Sequence, residues 1–217
     1  MEENIIKICG LQTVEAAEAA ILASATHLGM ICVPNRRRSV QPDVAKAISK
    51  LVHDMDTSKK TKVVGVFQNQ TIEYVENSIN EYRFDAIQLH GSEDWKAFRA
   101  HFPKEVTIIK RFAFPQDCEE MLEFQKTAEN CYVLLDSEVG GTGELLDWNA
   151  ISEWSSMHPG FKYVIAGGLT PDNVSEAMRL PGAIGVDVSG GVEVQGQKDI
   201  LKIRKFIENA YSSIQKT

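Results

Sequence analysis

The chain has 217 residues, 43% of them hydrophobic, and a formal net charge of −7 at neutral pH. This length supports one substantial core, so a single domain over 1–217 is expected, and no enrichment in Gly or Pro points to a disordered or fibrous chain. The acidic balance argues against sequence-independent nucleic-acid binding, and no stretch approaches the roughly 18 apolar residues of a membrane span.

Short β-branched runs alternate with amphipathic stretches, and eight such pairs can be traced. A strand over 5–9 precedes an alanine-rich helix for which Thr13 is the expected N-cap. A second strand over 28–33 is followed by a helix opening at Pro42-Asp43, with Val44, Ile48, Leu51 and Val52 on one face. The strand over 62–67 leads to a helix carrying Ile72, Val75, Ile79 and Tyr82. The segment 86–91 leads to one with Trp95, Phe98 and Phe102. The strand over 106–111 precedes a helix whose inward residues are read as Cys118, Met121 and Leu122. An apolar strand over 132–136 ends in an acid, and beyond a glycine-rich loop a helix starts near Asp147 with Ile151 and Trp154 inward. The last strands cover 162–166 and 183–188. Their helices are expected to begin at Thr170-Pro171, a cap followed by proline, and near Lys198 with Ile200, Ile203, Phe206 and Ile207 buried.

Strand and helix in strict alternation imply a parallel sheet with right-handed crossovers, because helices must cover the sheet. Eight repeats close into a barrel. The competing open sheet more often carries G-x-G-x-x-G after its first strand, where this chain reads C-G-L-Q-T-V. The predicted fold is therefore α/β, an eight-stranded parallel (β/α)8 TIM barrel.

In such a barrel the reacting groups gather at the carboxyl ends of the strands. Cys9, His90, Asp136, Asp187 and Ser189 stand at those ends, where apolar residues would otherwise continue. Gln88 shares a strand face with His90, and Lys7 with Cys9. The loops after the last two strands carry Gly167-Gly168 and Gly190-Gly191. Paired glycines expose backbone N–H groups, and a following helix N-terminus adds partial positive charge, so both loops suit a phosphate. Tight turning alone would also explain them. A third glycine cluster, EVGGTGE at 138–144, lacks the lysine and spacing of a nucleotide-binding loop and reads as either a lid or a plain connection.

Four cysteines (Cys9, Cys32, Cys118, Cys131) lie far apart with no C-x-x-C pair, which argues against a disulfide frame or a zinc site. The N-terminal MEENIIKICG has neither a basic region nor a long apolar run, so a cytoplasmic location with free thiols is expected. Cys32, Cys118 and Cys131 are read as packing. Cys9 and Asp136 each have a bland reading, core residue and turn cap, beside the catalytic one. Arg36-Arg37-Arg38 is either a solvated loop or a carboxylate grip at the barrel rim, and spacing does not select one arginine.

Read together, KICGL (7–11), ICVPNRRRSVQP (31–42), VGVFQNQ (64–70), IQLHG (87–91), LLDSEVGGTGELLDW (134–148), AGGLTPDNV (166–174) and GVDVSGGVE (185–193) resemble the phosphoribosylanthranilate isomerases, in particular the fungal single-function form. The segments run in order over nearly the whole chain. The resemblance implies a small-molecule phosphosugar substrate, with Cys9 as general base and Asp136 as general acid. It implies that Arg38 holds the anthranilate carboxylate, that Gly167, Gly168, Ser189 and Gly190 bind phosphate, and that Asp187 lies near the ribosyl hydroxyls. Gln88 and His90 match the Q-L-H-G signature and are counted with the substrate-binding residues. Neither metal nor organic cofactor is implied, and a monomer is expected. The alternatives are another phosphosugar barrel, such as an indole-forming synthase or an epimerase, or a non-catalytic barrel that binds a phosphosugar.

Overall fold

A computed structural model describes residues 4–55, 61–136 and 146–214. Eight strands, β1 (Ile5–Cys9), β2 (His27–Ile31), β3 (Lys62–Phe67), β4 (Ala86–Leu89), β5 (Thr107–Ala113), β6 (Cys131–Asp136), β7 (Tyr163–Ile165) and β8 (Ala183–Val188), form one closed barrel. All neighbours pair parallel, and β8 closes onto β1. Around them lie α1 (Val14–Leu22), α2 (Pro42–Met55), α3 (Ile72–Tyr82), α4 (Trp95–His101), α5 (Cys118–Thr127), α6 (Trp148–Met157), α7 (Val174–Ala177) and α8 (Ile200–Ile214). A two-stranded antiparallel ribbon, β9 (Glu193–Val194) and β10 (Gln197–Lys198), is inserted between β8 and α8.

The period-2 alternation of the strands sorts the apolar residues into two cores. Ile6 and Ile8 of β1 face outward into the large layer between barrel and helices, with Leu28, Met30, Phe67, Phe112 and Phe124. Ile5, Val64, Ala86, Ile109, Leu134, Val164 and Ala166 face inward and plug the barrel. Both strand faces are thus buried, which is why the strands read as near-continuous apolar runs. Above the plug, inward positions change character to Lys7, Cys9, Gln88, Asp136 and Asp187, all buried.

Capping fixes several helix starts. The Thr13 hydroxyl accepts from the Ala16 N–H at 3.3 Å as expected, Thr71 from Tyr74 at 3.2 Å, and the Asp147 carboxylate from Ala150 at 3.0 Å. Elsewhere the structure departs from the sequence reading. After β7, Thr170 does not start a helix: its hydroxyl accepts from the Asp172 N–H at 3.3 Å, and the helix that follows is one turn beginning at Val174. The local Thr170 turn competes successfully with helix here. On α5 the inward residues are Met121 and Phe124, while Leu122 is exposed and Cys118 only half-buried. Cys131 is also half-buried, at the start of β6, and Ile200 is half-buried at the start of α8. The glycine-rich loop expected over 137–146 lies outside the described residues, apart from Leu146. Among the described residues, no helix is long and apolar enough to cross a membrane.

Phe124 packs edge-on against Trp95 and Phe112, with centroids 4.9 and 5.3 Å away. Phe124→Ala should lower stability by about 3–5 kcal/mol, the range for truncating a buried aromatic. Leu122→Ala should change it by less than about 0.5 kcal/mol. Urea unfolding of the two variants checks this assignment of the α5 faces, and a larger loss for Leu122→Ala would reverse it.

Candidate active site

Closure of the barrel places β1 and β8 side by side with Lys7 in register with Asp187. Their side chains meet as a buried ion pair, Lys7 Nζ to Asp187 Oδ1 at 2.9 Å. Burial opposes the Lys7 ammonium, but Asp187 and Cys9 outweigh it, so its pKa lies above the ordinary value. The sequence placed Lys7 on the same strand face as Cys9. It does lie beside Cys9, yet its charge is already matched by Asp187. Burial accordingly pushes the Cys9 thiol above its usual range, with Lys7 opposing and Asp187 reinforcing the shift. Room for both side chains comes from Gly29, opposite Cys9 on β2, where a Cβ would lie 2.7 Å from the Cys9 sulfur and 3.1 Å from Lys7 Nζ.

Asp136 ends β6 at the mouth. Facing it is His90, just past β4, with Nε2 3.8 Å from Asp136 Oδ2. Gln88 Nε2 lies 3.0 Å from His90 Nδ1, and the other ring nitrogen, Nε2, is the one directed at Asp136. Burial and the charges of Arg111, Lys7 and Lys110 lower the His90 pKa to about 4, so the ring is neutral at pH 7. The loop carrying His90 is braced by Glu93, whose carboxylate accepts from the N–H groups of Asn69 and Gly91 at 2.7 and 2.8 Å.

Two clefts open on this mouth and share Arg38, Asp136, Asp187 and Ser189. The larger, about 520 Å³, is lined by Cys9, Gln88, His90 and the Arg36–Arg38 run. The smaller, about 300 Å³, is lined by the loops after β7 and β8. All ten residues singled out in the sequence therefore border one continuous depression.

In the smaller cleft, Gly167 and Gly168 have φ of +77° and +64°, a backbone that favours glycine. Asn173 holds this loop by accepting from the Thr170 N–H at 2.7 Å and donating to the Gly168 carbonyl at 3.1 Å. The two loops touch at Gly191, where a Cβ would lie 1.7 Å from the Leu169 carbonyl oxygen. Helix N-termini contribute less than the sequence suggested. A single 3₁₀ turn, Gly190–Val192, directly follows β8, and α7 is one turn long, which leaves the backbone N–H groups of the loops as the candidate donors.

The structure also separates the three arginines. Arg37 and Arg38 both pair with Glu193, but Arg37 is 57% exposed whereas Arg38 is 17% exposed. Arg38 is packed closely by glycines: a Cβ at Gly10 would lie 2.9 Å from its Cδ, and one at Gly190 3.1 Å from Nη2. Glu193 and its other partner Lys198 were not singled out in the sequence, although Glu193 ends the segment GVDVSGGVE. A charged pair on a hairpin otherwise reads as solvated surface, and here both side chains are 7% exposed or less. Among the described residues no group of three His, Cys, Asp or Glu side chains is placed to hold a metal ion.

Fold and site together define a (β/α)8 barrel with an acidic group, a thiol and a cleft suited to an anionic ligand at the carboxyl ends of its strands. The family profile described as N-(5'phosphoribosyl)anthranilate (PRA) isomerase matches residues 6–209, and the chain belongs to that family of enzymes. It is 49% identical over 207 residues to the N-(5'-phosphoribosyl)anthranilate isomerase of Zygosaccharomyces bailii, covering 94% of this chain and 96% of that one. It superposes on a phosphoribosyl anthranilate isomerase in complex with reduced 1-(o-carboxyphenylamino)-1-deoxyribulose 5-phosphate with a TM-score of 0.78 at 29% identity, covering 96% and 99% of the two chains. Structures of monomers of the dimeric Thermotoga maritima enzyme superpose equally well, with a TM-score of 0.78 at 27% identity and the same coverage.

The contact between the two loops gives a direct check. Gly191→Ala should force them apart and weaken binding of inorganic phosphate by roughly tenfold or more, about 1.4 kcal/mol. Calorimetric titration of phosphate into both proteins measures this, and unchanged affinity would mean that this loop pair is not the phosphate site.

Proposed function

We propose that the protein converts N-(5-phosphoribosyl)anthranilate to 1-(2-carboxyphenylamino)-1-deoxyribulose 5-phosphate, the aldose-to-ketose (Amadori) isomerisation of tryptophan biosynthesis. The observation that carries this reading is one depression bordered by a thiol, a carboxyl group, an arginine and two glycine loops, in a chain of this family.

Asp136 acts as the acid, protonating the furanose ring oxygen as the C1–O bond breaks and the anthranilate nitrogen forms an iminium at C1. Cys9, as thiolate, removes the C2 proton. The C2–H electrons form the C1=C2 bond and return the pair to nitrogen, giving an enol-amine that tautomerises to the ketone. The iminium cation acidifies C2–H and supplies the positive charge that the Lys7–Asp187 pair, being neutral overall, does not. Neutral His90 stands beside the acid, with Nε2 3.8 Å from Asp136 Oδ2, and packs it in place. Phosphate on the loops of Gly167, Gly168, Ser189 and Gly190, carboxylate on Arg38 and ribosyl hydroxyls near Asp187 fix the substrate at both ends, so its middle meets the acid and base.

The same reading takes the protein to act in the cytoplasm and as a monomer. Its most exposed large apolar side chains, Leu22, Met157 and Leu201, lie on three different helices. Because the Thermotoga maritima relative is dimeric, the mass in solution decides between one 24.1 kDa chain and a pair.

Loss of phosphoribosylanthranilate fluorescence follows turnover. Cys9→Ala and Asp136→Asn should each lower kcat by about 10²-fold or more, the scale of general acid–base catalysis, while keeping the native circular dichroism. Near-normal kcat in a folded variant would refute that residue's role, and no turnover by the wild type would refute the isomerase reading. A buried thiol acting as base also predicts a pH profile. Because burial raises the pKa, the thiolate fraction and kcat/KM should climb with pH through the range above about 8.5. A flat profile from pH 6 to 9 would contradict a resting protonated thiol.

A further inference from the structure

The ribbon β9–β10 has a two-residue turn, Gln195-Gly196, with φ of +51° and +81° at the two positions, as a tight right-twisted hairpin requires. The turn fixes the register, so Glu193 pairs directly with Lys198 across the ribbon. Each then reaches a different half of the site. Glu193 accepts from Arg38 Nε at 2.6 Å and from Arg38 Nη2 at 3.1 Å, a two-point grip on one edge of the guanidinium. Lys198 Nζ donates to Glu193 Oε1 at 2.9 Å, to the Ser189 carbonyl at 2.8 Å and to the Ser189 hydroxyl at 3.3 Å. Arg37 Nη2 donates at 2.9 Å to Glu193 Oε2, the oxygen that also accepts from Arg38 Nη2, and Lys202 Nζ donates to the Glu193 carbonyl at 3.0 Å.

We propose that Glu193 and Lys198 are positioning residues that join the Arg38 carboxylate grip to the Ser189 phosphate loop, so that the protein selects ligands carrying both anionic groups at one fixed separation. This rests on the assignment of Arg38 and Ser189 to the two ends of the substrate. Two of the five N–H donors of Arg38 are spent on Glu193, and three are left to meet an incoming carboxylate. A long, flexible side chain is thereby ordered before the ligand arrives, which removes part of the entropic cost of binding. Although burial opposes its charge, the contacts to Arg38, Lys198 and Arg37 hold the Glu193 carboxyl down to about 2, so the grip is ionised throughout the working pH range.

The test compares two ligands by calorimetry: reduced 1-(o-carboxyphenylamino)-1-deoxyribulose 5-phosphate and its phenylamino counterpart lacking the carboxyl group. The wild type should prefer the carboxylated ligand by roughly 10- to 100-fold, the range of a charge-assisted contact. In Glu193→Ala that preference should fall to within about threefold, while affinity for the carboxyl-free ligand changes by less than about threefold. Glu193→Asp, which keeps the charge on a shorter stem, should restore part of the preference, and it serves as the reporting variant if Glu193→Ala does not fold. A folded Glu193→Ala protein that keeps the full preference, or loses affinity for both ligands equally, overturns the proposal. A wild type without any preference refutes the Arg38 assignment itself, and the clasp falls with it.

Discussion

The ion pair between Lys7 and Asp187 is the contact on which the rest of the site depends. It spans 180 positions in the chain and forms only because the barrel closes with β8 against β1. Both groups are shut away from water, and removing either alone would strand the other at a cost of about 3–5 kcal/mol. The pair fixes the carboxyl ends of the first and last strands relative to each other, and so the positions of Cys9 and Ser189 that follow them. It also sets the electrostatics. A lone buried ammonium beside Cys9 would favour the thiolate, whereas the matched pair leaves the thiol in a setting where burial dominates. In the proposed mechanism Cys9 is therefore made ready by the charge that develops on the substrate, not by a charge stored in the protein.

Outward from that pair, the mouth is built of close backbone approaches. Gly29 leaves space for Cys9 and Lys7, Gly10 brings the first loop against both Ser189 and Arg38, and Gly191 lets the last two loops touch. At Gly10 the backbone also has φ of +72°, so glycine is needed there twice over, for conformation and for space. Shape in this site is set as much by missing side chains as by present ones.

Much of this was legible in the sequence, because the periodic signal was repeated eight times. The apolar runs, the Thr13 cap and the polar residues ending the strands reported local physics, and the barrel rule turned that into a site. What stayed hidden was contact between distant residues. Nothing near Lys7 in the chain marks Asp187 as its partner, and nothing near Arg38 marks Glu193. Errors arose where local signals were ambiguous. Thr170-Pro171 has the chemistry of a helix start, but Asn173 draws the segment into a turn that holds the Gly168 loop instead. On α5, Leu122 and Phe124 compete for the inward face, and the aromatic wins because Trp95 and Phe112 offer it a partner on each side.

The central claim is that one ligand spans the mouth, with its phosphate on the glycine loops, its carboxylate on Arg38 and its reacting carbons between Cys9 and Asp136. A crystal structure with reduced 1-(o-carboxyphenylamino)-1-deoxyribulose 5-phosphate tests it most directly. The account predicts phosphate oxygens within hydrogen-bond distance of the Gly168 and Gly190 N–H groups, the carboxylate on Arg38 with Glu193 still gripping its other edge, and the C1–C2 bond beside the Cys9 sulfur. A ligand bound in the reverse direction, or an Arg38 released from Glu193 and turned away from the carboxylate, would contradict it.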